Sequence, residues 1–480
     1  MTASDRTAHQ PELSLGGKVG YATGVYGVFL AWMMVAIFLL YFYTDVLGLS
    51  PAKAGLVFFV ASMWDAVSDP LMGWFTEKTR SRWGRYRPYL LFAAIPFAGS
   101  FAALFIKPDL SGEQLFWWCL VLHIVFRTAY TAIYIPYTAL IARLSSDADE
   151  RASIAGFKGS FISLGALTVS LFGLPAVTLL GGEDEAAGFL RFALICAGMA
   201  VVALWTCFLL TREKAAPEES SGRDSASKAS PWATVKAIIA NRPFIMVFAA
   251  VILFTGCYTM LNKTIVYVFK YDIGSRDAAT YALSAIGVAG VISPLLWVRV
   301  THRTSKRTVA MSGCLIAAAA LLLIYWLNLS DIVALTALFL VVGVGIHGFL
   351  MTFYAMVADT ADWGEYQRGW RVEAPLFGIM SFANKSSLAV GTWTLGGLLE
   401  LVGFEANVDQ SAETLAGLRQ IMSLVPMLGF LAAAGVIAFF PINAVKQREI
   451  MAAITDRKRL QTVSENQGDR LSSGTTVPAE

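Results

Sequence analysis

Apolar residues dominate this chain in long blocks, and short polar stretches punctuate them. A membrane span needs about 20 mostly apolar residues. The pattern predicts twelve spans, near residues 22–44, 53–76, 88–106, 114–142, 155–180, 190–210, 242–270, 279–298, 308–327, 332–357, 376–402 and 416–441. The run TREKAAPEESSGRDSASKAS at 211–230 is poor in apolar residues and reads as a flexible linker. The expected division is a first six-helix half over 1–210, a cytoplasmic linker over 211–236, a second six-helix half over 237–445 and a cytoplasmic tail over 446–480. The tail reads as a short helix followed by disorder. The predicted class is an all-α membrane protein.

The basic residues orient the bundle. The loop EKTRSRWGRYRP carries Lys78, Arg80, Arg82, Arg85 and Arg87, and the loop after span eight carries Arg299, Arg303, Lys306 and Arg307. The linker and the tail are also rich in Lys and Arg. The opposite loops are poor in basic residues and often acidic, as in GGEDEAAG at 181–188. Both termini are therefore expected on the cytoplasmic face of the cell (inner) membrane. Six spans plus six around a cytoplasmic linker is the layout of the major facilitator fold, in which substrate sits near the midplane between the halves.

Composition agrees with the pattern. Charged residues make up 15% of the chain, against about 25% for soluble domains, and hydrophobic residues 56%. The mean hydropathy is +0.60. A net charge of +3 leaves no footprint for nucleic acid. The five cysteines lie in apolar stretches without CxxC spacing and read as packing residues, and the four histidines show no zinc pattern. No cleaved signal peptide is expected, because residues 1–20 lack an apolar core. There is no Walker motif, which argues against a pump. No enzymatic chemistry and no cofactor are implied.

The candidate chemistry starts in the second span, at ASMWDAVSDPLMGW. Asp65 and Asp69 are four residues apart, so on a helix they share one face. A carboxylate near the bilayer centre costs roughly 2.5–3.5 kcal/mol, and two on one face also repel. Binding a cation or carrying a proton would justify both. Pro70 has no N–H, so the Ala66 carbonyl between the two acids loses its helical partner. The alternative is a structural ion pair with a basic residue of another helix.

LLYFYTDVLGLSPAKAGLVFFVASMWDAVSDPLMGWFTEKTRSRWGRYRPYLLF resembles the glycoside–pentoside–hexuronide:cation symporter family, whose best-known member is the melibiose permease. Further matches are YTAIYIPYTAL (130–140), NRPF (241–244), VADTADWGEYQRGWRVE (357–373) and SFANKSSLA (381–389). Together they cover about residues 14–450 in family order. The resemblance implies twelve helices, alternating access, a functional monomer, and solute import driven by co-transported Na⁺, H⁺ or Li⁺.

The resemblance also assigns candidate residues. Asp65 and Asp69 match the family's cation carboxylates, and Thr131 matches a hydroxyl near the same cation. Ser68 stands where the melibiose permease has an Asn involved in Na⁺ use, which leaves Na⁺ and H⁺ both open. Phe29 and Tyr134 fall where that permease uses two acids for sugar hydroxyls. A Phe cannot accept a hydroxyl proton, and a Tyr offers one neutral group. Lys385 matches a family lysine on helix eleven. Lys263 lies inside span seven beside Asn262, and Lys158 near the start of span five. Fewer acids and more lysines favour an anionic solute such as a uronide. Equally, Lys385 pairs with Asp65 or Asp69, and Lys263 snorkels to an interface. Trp393 is a candidate for stacking on a sugar ring.

A gate is expected between the loop arginines Arg85 and Arg87 and the acids Asp359, Asp362 and Glu365, with Arg371 and Glu373 following. Such pairs would close the outward-facing state on the inside and break on switching. The alternative is positive-inside charge alone. The expected function is a cation-coupled symporter for a sugar or glycoside, embedded in the lipid bilayer. Two rivals stay open: a carrier for a lysolipid-like amphiphile, and a non-transporting solute sensor on the same fold.

Overall fold

A computed structural model describes residues 13–145, 148–213, 231–327, 331–370 and 372–457. The described residues are all-helical apart from turns. The helices are α1 Leu15–Tyr41, which runs on through a π turn Phe42–Val46, α2 Pro51–Lys78, α3 Arg87–Phe92, α4 Ala94–Ala103, α5 Gly112–Leu144, α6 Ala148–Gly181 and α7 Glu185–Leu210. After the linker come α8 Pro231–Ile239, α9 Arg242–Tyr271, α10 Ala279–Arg303, α11 Lys306–Leu327, α12 Ile332–Arg368, α13 Ala374–Leu401, α14 Ala412–Ala438, and α15 over 444–457. Ten helical segments among the described residues are long and apolar enough to cross a membrane.

Sequence and local chemistry explain these elements. In hydrocarbon every backbone polar group must be satisfied internally, which favours uninterrupted helices. Side-chain oxygens cap several of them: Ser14 accepts from Gly17 N at 3.2 Å, Asp331 from Ala334 N at 2.8 Å and Ser411 from Thr414 N at 3.1 Å. Gly369, at φ +80°, ends α12 in the left-handed conformation that glycine adopts without a Cβ penalty.

Three expectations change. The span expected at 88–106 is two short helices that break at Ala93. Pro96 lacks the N–H that would bond the Phe92 carbonyl, so the ladder is interrupted there. The span expected at 332–357 runs on to Arg368, which puts Asp359, Asp362 and Glu365 on helix. Helix α8 begins at Pro231, inside the stretch assigned to the linker; residues 214–230 of that linker and 458–480 of the tail lie outside the described residues.

Helices before the linker pack mainly on one another (α1 with α6 and α7, α2 with α5), and so do those after it (α9 with α13 and α14, α11 with α12 and α14). The two sets meet through α2 with α13, α6 with α10 and α1 with α9. Polar bonds across this junction gather at mid-depth and on the side away from the chain ends, here called the far side. There Asp45 accepts from Lys270 Nζ at 2.7 Å and from the Tyr271 hydroxyl, and its carbonyl accepts from Asn407 Nδ2 at 2.6 Å. Thr44 and Tyr267 share a hydroxyl bond at 2.8 Å, and Arg276 pairs with Glu185. Backbones also approach closely: a Cβ on Gly55 would lie 3.0 Å from the Trp393 Cα, and one on Gly396 would collide with the Pro51 carbonyl. The carboxylate of Asp45 is fully buried. Asp45→Ala is expected to weaken the far-side closure by about 2 kcal/mol. Spin labels at positions 46 and 408 would report it as a longer, broader distance distribution; an unchanged distribution would remove Asp45 from the closure.

On the opposite side, Glu213 organises the arginine-rich loop. Its carboxylate accepts from the backbone N–H groups of Arg85 (2.7 Å), Tyr86 (2.6 Å) and Arg87 (2.8 Å). Glu213→Ala leaves three donors without this acceptor and is expected to lower stability by about 1–2 kcal/mol in a partly exposed setting. Thermal unfolding in detergent checks it, and an unchanged midpoint would show that water replaces the carboxylate freely.

Candidate functional site at mid-depth

Asp65 and Asp69 do lie on one face of α2, and α5 presents a matching pair of positions to them. Arg127 and Thr131 are also four residues apart. Arg127 Nη1 lies 3.0 Å from Asp65 Oδ2, and the Thr131 hydroxyl donates to Asp69 Oδ1 at 2.8 Å. Ser68 Oγ lies 3.4 Å from Thr131 Oγ1. From the second set of helices, Lys385 on α13 pairs with Asp69 Oδ2 and sits 3.8 Å from Asp65 Oδ2. The four charges sum to zero: two carboxylates, one guanidinium, one ammonium.

The two acids are not equivalent. The Asp65 side chain is 2% exposed and that of Asp69 23%, matched by 25% for Lys385. Asp65 is thus buried and held mainly by Arg127 of its own set, with Lys385 more distant at 3.8 Å across the junction, whereas the Asp69–Lys385 pair spans the junction and reaches open space. Arg127 is further held by Ser62 Oγ and lies 4.9 Å over the Trp32 ring.

The candidate solute residues divide. Phe29 and Tyr134 meet, ring centroids 6.4 Å apart, and Tyr134 stacks on Tyr130 at 5.2 Å. Lys158 Nζ lies 5.5 Å over the rings of both Tyr134 and Tyr137. No carboxylate pairs with Lys158 among the described residues. These side chains form one aromatic and basic corner. Asn262, Lys263 and Trp393 are not part of it. Asn262 Nδ2 donates to the Tyr258 carbonyl of its own helix at 2.9 Å. Lys263 is 2% exposed and sits 4.1 Å over the Phe58 ring of α2, inside the junction, so its ammonium does not reach the surface as snorkelling requires. Trp393 packs on Phe59 at 5.2 Å beside Gly55, in the closed far-side junction.

Among the described residues no ion pair joins Arg85 or Arg87 to Asp359 or Asp362. Arg87 Nη2 donates to the Phe208 carbonyl at 2.6 Å, Asp359 pairs with Lys306 at 2.6 Å, and Asp362 accepts from Gln447 at 2.8 Å. Each partner is in the same set of helices, because the junction closes on the far side and not here. Arg371 lies outside the described residues.

Two participants escaped the sequence reading. An arginine inside an apolar span carries the same signal as the two acids, and Arg127 stands one turn before Thr131 in VFRTAYTA. Asp45 was visible only as part of the YTD motif.

The comparisons with known proteins agree with this arrangement. Residues 20–444 match the family model described as MFS/sugar transport protein. The isoprimeverose transporter of Lactiplantibacillus pentosus is 30% identical over 462 residues, 94% of each chain. The glucuronide carrier protein homolog of Escherichia coli K12 is 27% identical over 455 residues, 94% of this chain and 97% of that one. In fold, the chain is similar to the crystal structure of a bacterial homologue of the human lysosomal transporter Spinster, with a TM-score of 0.64 at 14% identity over 92% of this chain and 97% of that one. With the family model spanning most of its length, this chain belongs to the MFS/sugar transport protein family and is a multi-pass membrane transporter of the glycoside–pentoside–hexuronide:cation symporter type, not an enzyme.

Proposed function

We propose that the protein is a cation-coupled symporter that imports a sugar or glycoside by alternating access. In this reading twelve spans form two six-helix halves, with both termini on the cytoplasmic face of the inner membrane. The observation that carries it is the Asp69–Lys385 pair, which joins the two sets of helices at mid-depth beside the Thr131 hydroxyl. Lys385 acts as a tethered cation that neutralises Asp69 while the coupling ion is away. A mobile cation arriving at Asp69 releases Lys385 and frees its ammonium for solute or for water. The far side, periplasmic by the distribution of Lys and Arg, is latched by Asp45. The conformation is therefore the inward-facing one, in which the Arg85 and Arg87 loop is separated from Asp359 and Asp362. Those pairs belong to the opposite state, where they would close the cytoplasmic side.

Solute would rest on the Phe29–Tyr134 corner, where sugar CH faces meet aromatic rings. The uncompensated Lys158 favours a carboxylate on that solute, so a uronide is the preferred class. Lys158→Ala is expected to raise KM for a methyl glucuronide by about tenfold, one charged hydrogen bond being worth 1.5–3 kcal/mol, and to leave a neutral glycoside unchanged. An equal effect on both would remove charge recognition from Lys158.

The test of the whole reading is solute-induced H⁺ or Na⁺ movement into proteoliposomes. The panel comprises neutral glycosides, uronides and lysolipids. Sugar-dependent cation entry supports symport. Cation movement with lysolipids alone would replace the solute class. Sugar binding without any ion or sugar flux would favour a sensor.

A further inference from the structure

On the symport reading above, we propose that Arg127 is a resident counter-ion that takes Asp65 out of the exchange, so that the protein carries one cation per cycle, at Asp69, and that this cation is a proton and not Na⁺ or Li⁺.

The argument begins with what Arg127 touches. Its guanidinium bonds Asp65 Oδ2 at 3.0 Å and Ser62 Oγ, and lies over the Trp32 ring. All three partners are on α1 and α2, in the same set of helices as Arg127. A rocking motion of one set against the other leaves these contacts intact. Lys385 is different, because it reaches Asp69 from the opposite set. One base therefore stays and one leaves.

The charges of these four groups argue for the stoichiometry. With Lys385 docked, the site is neutral. With Lys385 withdrawn, Asp65 and Asp69 carry −2 and Arg127 +1, so a single negative charge remains. A guanidinium does not release its proton in a protein, so Arg127 cannot make room for a second cation. One monovalent ion restores neutrality, and a second would leave an uncompensated positive charge at mid-membrane.

Ligand supply then distinguishes the ion. A hard metal cation needs several oxygens around it. Arg127 consumes Asp65 Oδ2 and Ser62 Oγ, and repels a metal ion from the remaining Asp65 oxygen. That atom, Oδ1, is buried without a hydrogen-bond partner. What is left for the mobile ion is the Asp69 carboxylate with the Thr131 and Ser68 hydroxyls. This set, even with the Ala66 carbonyl that Pro70 frees, gives an alkali ion a single carboxylate close to the Arg127 guanidinium, whereas a proton needs just one carboxylate oxygen. Removing the guanidinium would restore both Asp65 oxygens and Ser62 Oγ, and would build an alkali site from the same α2 face.

Ion binding can be measured without knowing the solute. Purified protein is melted in NaCl, LiCl or choline chloride at constant ionic strength. A ligand that binds only the folded state raises the midpoint in a saturable way. Wild type and Arg127→Lys are expected to show no difference between the three salts. Arg127→Met is expected to gain saturable stabilisation by Na⁺, with an affinity at least about tenfold above wild type, and to lose it again in Arg127→Met/Asp65→Asn. A merely structural role for Arg127 would destabilise the variant equally in every salt, and that result would overturn the proposal. So would saturable Na⁺ or Li⁺ stabilisation of the wild type that disappears in Asp69→Asn. If Arg127→Met cannot be purified, Arg127→Gln, which still offers a donor to Ser62, takes its place with the same expectations.

A transport arm keeps the two levels apart. Isoprimeverose and a methyl glucuronide serve as probes in proteoliposomes with an imposed pH gradient or Na⁺ gradient. Uptake driven by the pH gradient alone supports the proposal. Uptake driven by Na⁺ overturns it and leaves symport standing. Failure of both gradients to drive either probe overturns the symport reading for these solutes, while the melting experiment still decides the role of Arg127.

Discussion

Replacing Asp69 with Asn is expected to abolish concentrative uptake while leaving the protein folded. Asn presents the same shape and cannot carry the negative charge that alternates between Lys385 and the mobile cation. One co-transported charge moving through a potential of 100 mV contributes about 2.3 kcal/mol, which corresponds to roughly 50-fold accumulation of a neutral glycoside. In Asp69→Asn the inside-to-outside ratio should fall to one. Counterflow of labelled sugar, which needs no ion gradient, should persist. The partial exposure of Asp69 and Lys385 is what permits this separation, since neither side chain is sealed in the core. Full accumulation by Asp69→Asn would exclude the residue from coupling.

Loss of Arg127 should be the largest single effect on stability. Asp65 is 2% exposed, and Arg127→Ala leaves its charge with only Lys385 nearby, at 3.8 Å. Breaking a buried ion pair by removing one partner costs about 3–5 kcal/mol, mostly because the other charge stays buried. Lys385 offsets part of this by turning toward Asp65, at the expense of Asp69. The double variant Arg127→Gln/Asp65→Asn removes both charges and should recover most of the loss. A double-mutant cycle measured by unfolding in choline chloride reads the coupling directly. If the double variant is as unstable as Arg127→Ala, the cost lies in the packing of Arg127 against Trp32 and not in the unpaired charge.

The membrane class, the family and the shared face of Asp65 and Asp69 are all legible in the chain itself. Each rests on a local signal. Apolar blocks of span length follow from the thickness of a bilayer. The four-residue spacing follows from the pitch of a helix, whereas the stretch around Pro96 reads as one continuous span and breaks only in the structure. Thr131 beside Asp69, and Lys385 among the candidate partners, were also legible, through the motifs that place α5 and α13 near α2. Which base meets which acid depends on how the helices pack, and no local signal carries it. Lys385 and Arg127 lie on different helices from Asp65 and Asp69, and their distances depend on how α5 and α13 pack against α2. The same packing removed Lys263, Asn262 and Trp393 from the solute corner, since about half a turn of helix rotation separates a residue that faces the cavity from one that faces a neighbouring helix. The gate residues show the remaining limit. Their charges are written in the sequence, but whether they touch depends on which side of the junction is closed. That is a property of one conformation, set by long-range contacts such as Asp45 with Lys270, and no local pattern in the chain encodes it.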